Sequence, residues 1–121
     1  MRNFSLEEVE ELRVALVNFR DEISTFVNGS GAQPLPGSRA LADRNVFSHP
    51  ESIHTVFGQA IMLVEAAADH LTGFTKTLRE PYDTFAPWTC VRGLLEASAL
   101  AAWLLEPRLD VNKRVQRSGR L

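Results

Sequence analysis

Arg92 and Glu96 lie four residues apart within the most apolar stretch of the chain, Trp88 to Leu105. A charge in such a stretch is costly unless it has a partner. Four residues is about one helical turn, so the two side chains share a face and can pair. Two chemistries follow. Either the pair is a structural salt bridge that fixes helix register, or it lines a polar pocket that receives an anionic or hydrogen-bonding ligand. His70 is the natural third member of such a pocket, and Trp103, seven beyond Glu96, lies along a similar line. A half-buried His70 would bond a carbonyl or Glu96; in the pocket it would titrate or hold a ligand. Asp69 is turned away from it, toward Glu65 and the solvated face. Arg114 and Arg117 are three apart and would reinforce the cluster if their helix folds back. Otherwise they form a solvated basic end favoured by the helix dipole.

Other site chemistry finds little footing. His49 and His54 are five apart near a helix start, a poor spacing for two ligands on one face, so no metal site is expected. Cys90 is the single cysteine and has no histidine at helical spacing to activate it. It reads as a small core residue, and its solitude excludes an intramolecular disulfide or a multi-cysteine zinc site. Gly29, Gly31 and Gly37 fall between helices rather than between a strand and a helix, so no phosphate loop forms and no cofactor is expected. No strand-based elbow exists for a Ser-His-Asp nucleophile.

The elements that must position these residues are helical. The first spans about 6–28, opened by a Ser5/Glu8 capping box. Val9, Leu12, Leu16, Phe19, Ile23 and Phe26 draw one narrow stripe along it. Residues 29–48, rich in glycine and proline, form an irregular segment with room for a helical turn near 38–44. The second long helix covers about 51–79, capped by Ser48 with Pro50 and Glu51 behind it. Its stripe runs unbroken from Ile53 to Leu78, and at 1.5 Å per residue it reaches about 43 Å. Pro81 ends it. A third helix covers about 86–106 and is apolar nearly all round, which marks a central helix or a subunit interface. Pro107 stops it, and Asp110 can cap a last helix over about 110–121. That final helix offers mainly Leu109, Val111, Val115 and Leu121 as cover. The 86–106 helix therefore needs surface from a partner chain or from a longer version of the domain.

At 121 residues, 45% hydrophobic and 23% charged, the chain holds one domain and one core. The formal charge of −2 argues against nucleic-acid coating and against a polybasic membrane surface binder. Residues 1–28 carry three arginines against six acids, whereas 107–121 carry five cations against Asp110 alone, so the two ends can attract. No apolar run approaches the roughly 18 residues that span a bilayer, and Met1 to Ser5 lead straight into a charged helix without a signal-like core. The cytoplasm is the expected compartment.

Two resemblances add to this. Arg44-Asn45-Val46-Phe47-Ser48-His49 resembles the R-x4-6-H signature of the HEPN superfamily, small helical bundles that often dimerise and of which many cleave RNA. The resemblance implies that Arg44 would stabilise phosphate charge and His49 would move a proton. The second covers about 56–118. Ala66 to Leu71, Arg92 to Ala97, Ala102 to Pro107 and Arg114 to Arg117 resemble uncharacterised actinobacterial helical proteins with D-H-L, R-x-x-x-E, W-L-L and R-x-x-R segments. It implies a helical fold, an actinobacterial or actinophage source and a chain that usually continues past the R-x-x-R helix. It brings no activity.

The sequence thus predicts an all-α antiparallel bundle of three to four helices, completed by homodimerisation. The leading functional reading is a non-enzymatic interaction or regulatory module, with a protein partner and its working surface on the 86–106 helix and the 29–48 segment. A ligand or enzymatic pocket built on His70, Arg92 and Glu96 is the alternative, and an RNase using Arg44 and His49 a third.

Overall fold

The computed structural model describes residues 4–29 and 34–121, and among them the chain is all-helical. Five helices follow in order: α1 (Leu6–Gly29), α2 (Arg39–Val46), α3 (Pro50–Thr77), α4 (Ala86–Leu104) and α5 (Val111–Ser118). The expected irregular 29–48 segment is corrected in part, because α2 is a full two-turn helix inside it. Ser38 accounts for this: its hydroxyl accepts from Leu41 N at 3.2 Å and closes the first turn. The count accordingly rises from the expected three or four helices to five.

α3 is the hub. It packs along α4 and α1, and α2 and α5 both sit against it. Ile53, Ala60, Ala67 and Leu71 of the expected stripe are buried on its inner side, and Phe57, Val64, Phe74 and Leu78 of that stripe are half-buried. Val56, expected to flank it, is fully buried. The start of α3 differs from expectation. His49, not Ser48, takes the N-cap position, without a side-chain cap, because Pro50 occupies the first helical turn. Thr72, Thr75 and Thr77 return their hydroxyls to carbonyls of the preceding turn, which lets threonines lie along a packed helix.

α1 begins as expected. Ser5 N donates to Glu8 Oε2 at 2.8 Å and Glu8 N to Ser5 Oγ at 3.1 Å. Its apolar stripe, however, divides. Val9, Leu16 and Ile23 are half-buried, whereas Leu12, Phe19 and Phe26 stand exposed. The reason is that α1 packs extensively on α3 alone and makes no comparable contact with α4. One neighbour can cover only part of the stripe.

α4 is only partly enclosed. Ala97, Ala101 and Leu104 are buried, and Leu104 joins Val56 and Ala60 in the innermost cluster, with Phe57 and Val115 packed against it. Trp88, Leu95, Leu100 and Trp103 remain exposed. The enclosure expected on most sides is not supplied within the chain. Its approach to α3 is nonetheless close. A Cβ on Gly93 would fall 2.4 Å from the His70 ring, and one on Gly73 would fall 3.1 Å from Cys90 Sγ. Each helix presents a glycine to a side chain of the other.

Candidate functional site

The polar residues singled out in the sequence separate into three places. The first is buried. Asp110 caps α5, accepting from Lys113 N at 3.0 Å, and this sends α5 back over the end of α4. Arg114 is thereby carried into the core with no solvent exposure. Its Nε donates to Asp43 Oδ2 at 2.9 Å, Nη1 to the Leu104 carbonyl at 2.6 Å, and Nη2 to the carbonyls of Glu106 and Leu109 at 2.9 and 3.1 Å. Leu104 is the last residue of α4 and Glu106 lies just beyond it, at the end where backbone acceptors lack helical partners and the dipole is negative. A planar fork of five donors can serve three carbonyls and a carboxylate at once; an ammonium cannot. The Phe57 ring lies 5.7 Å from the guanidinium carbon and closes the remaining side.

Beside it, Arg117 lies over the Trp103 ring at 4.8 Å and donates to the Trp103 carbonyl at 2.6 Å and to Glu106 at 3.2 Å. Arg39 Nη2 reaches the Pro107 carbonyl at 2.8 Å, and the Ser118 hydroxyl bonds Gln59. These bonds stitch α2, α3 and α5 around the α4 terminus. Arg114 and Arg117 do fold back, but their partners are Asp43, Glu106 and carbonyls at the end of α4 rather than the expected cluster of His70, Arg92 and Glu96. The group they build is a joint. Its polar atoms are already bonded, and no buried side-chain nitrogen or oxygen among the described residues lacks a partner.

The second place is the outer side of α4. Arg92 Nε donates to Glu96 Oε1 at 2.9 Å with both side chains largely in solvent, and this bond raises the Arg92 guanidinium further above its ordinary range. His70 lies against Gly93, on the α3 side of the same helix. The Arg–Glu pair forms, therefore, in water rather than in an apolar interior. Two shallow depressions lie elsewhere, one between α1 and α3 near Ile23 and Asp69, the other along α1 near Glu10 and Asn18.

The third place is the junction of α2 and α3. Arg44 lies in the last turn of α2 and His49 caps α3, both exposed, with the His49 ring edge-on to Phe47 at 6.1 Å. Among the described residues no group of three or more His, Cys, Asp or Glu side chains gathers in a way that could hold a metal ion. No helix there is long and apolar enough to cross a membrane.

Compared with protein-family models, with curated proteins and with solved structures, the chain matches none.

Asp43 and Gly93 are the two residues of consequence that sequence reasoning passed over. Asp43 carried one faint signal, an acid placed on the inner side of a two-turn helix that Ser38 could cap. Gly93 carried another, a glycine in the middle of a helix where it weakens the helix unless something needs its space.

Proposed function

We propose that this chain is a non-enzymatic, cytoplasmic helical module that acts by binding protein, in a regulatory role, through the outward face of α4. One observation supports the reading above the others. Trp88 is 74% exposed and Leu95 63%, with Leu100 and Trp103 beside them on the same helix. Large apolar side chains gathered on one helix mark an interaction surface, since each gains stability when water is removed from it. The joint around Arg114 supports it from behind, because it ties the end of α4 to α2 and α5 with its buried polar groups already bonded.

Site-specific photo-crosslinking in living cells tests this. A photoreactive residue at position 95 should give a protein adduct, and one at Asp69, on the solvated side of α3, should not. Equal labelling at both positions, or none at 95, would remove the basis for the reading.

A further inference from the structure

We propose that the partner on α4 is a second copy of this chain, packed antiparallel about a two-fold axis that passes near residue 94; this rests on the interaction reading above. On the exposed side of α4, beside Leu95, lies a stripe of six residues that starts just before the helix: Phe85, Trp88, Arg92, Glu96, Leu100 and Trp103. The steps between them are three, four, four, four and three residues, which keep all six within about 120° of the helix circumference. Read from either end, the spacing is the same.

The chemistry is symmetric as well. In an antiparallel pair related by a two-fold axis, residue i meets j and j meets i. Centred on residue 94, Phe85 then faces Trp103 of the other copy, Trp88 faces Leu100, and Arg92 faces Glu96. The aromatic and aliphatic residues meet at both ends. At the middle, the Arg92–Glu96 pair of one copy meets its inverted counterpart, and two intrahelical ion pairs become a ring of four alternating charges. Thr89 and Ala99, small exposed residues beside the stripe, also fall opposite each other and allow the helices to approach. A parallel arrangement would set Arg92 against Arg92 and Glu96 against Glu96. Charge complementarity therefore selects the antiparallel one.

Sedimentation equilibrium with charge-reversed variants tests the proposal. The wild-type chain should sediment at twice its 13.5 kDa mass. Arg92→Glu and Glu96→Arg should each associate at least tenfold more weakly, because each places like charges across the axis. An equimolar mixture of the two should regain wild-type affinity, because every contact across the axis between unlike chains then sets an acid against a base. Circular dichroism should show unchanged helicity in both variants, since both side chains stand in solvent in the single chain. A wild-type chain that stays monomeric up to about 100 µM overturns the proposal, as does a mixture no tighter than its components. An adduct at position 95 with a different protein, together with a monomeric wild type, would overturn the second-copy assignment alone and leave the interaction reading standing.

Discussion

The Arg114 guanidinium and the Asp43 carboxylate, 71 positions apart in the chain, meet at 2.9 Å with almost no access to water. Removing either partner leaves the other charge buried and uncompensated. We expect Arg114→Met and Asp43→Leu each to destabilise the fold by about 3–5 kcal/mol, a large share of the stability of a domain this size. The double variant should recover part of that loss, but not all, because the carbonyls of Leu104, Glu106 and Leu109 still lack their donor. Arg114→Lys should fail as well, since one nitrogen cannot reach four acceptors. Urea unfolding of the four variants, read as a double-mutant cycle, measures this. Additive losses would show that the two charges do not meet.

The contact of His70 with Gly93 makes a second cycle. Gly93→Ala supplies a better helix former, worth about 1 kcal/mol on its own. It also places a methyl where the His70 ring lies. The expected outcome is a net loss of about 1–2 kcal/mol in the single variant, from overpacking, and a gain relative to His70→Ala when the two are combined. Thermal unfolding followed at 222 nm gives both values. A Gly93→Ala variant more stable than wild type would show that the helices have room to spare there.

At the acid end, Glu10 is informative because its partner is well defined. Hydrogen bonding from Arg13 holds its carboxyl below the ordinary value of 4.5. A depressed folded-state pKa means that its contribution is complete above 4.5 and fades as pH falls through the lowered value. The side chain is exposed, so the effect on global stability should be slight. Titration of the Glu10 carboxyl by NMR should give a midpoint below 4.5, moving up toward it in Arg13→Gln.

A non-enzymatic module should leave RNA untouched. Incubation of the wild-type chain with single-stranded RNA, alongside Arg44→Ala and His49→Ala, should yield intact substrate in all three. Cleavage by the wild type that vanishes in both variants would establish the RNase reading in its place.

How much of this was legible in the sequence depended on the range of each signal. The Ser5–Glu8 box lies within four residues and was readable outright, as were the long inner stripe of α3 and the stop at Pro107. Short range was not always enough. Ser48 and His49 both precede Pro50, and local pattern alone does not say which of them caps α3. The Asp43–Arg114 bond was beyond reach because no periodicity links positions in two separate helices. A short helix such as α2, with one buried side chain, also leaves almost no hydrophobic pattern. The face of α4 was legible as short of cover, but the source of that cover was not. Hydropathy reports that a side chain avoids water, but it does not distinguish a helix buried within its own chain from one awaiting cover from another. Arg92 and Glu96 were assumed buried by their apolar neighbours, yet those neighbours themselves face outward.

The joint around Arg114 also makes the seating of α2 depend on α5. Asp43 is buried only in company with Arg114, so removal of α5 would strand a carboxylate in the interior and favour lifting of α2 from α3. The inner contacts of Val56 and Ala60 with Leu104 join α3 to α4 and would stand without it.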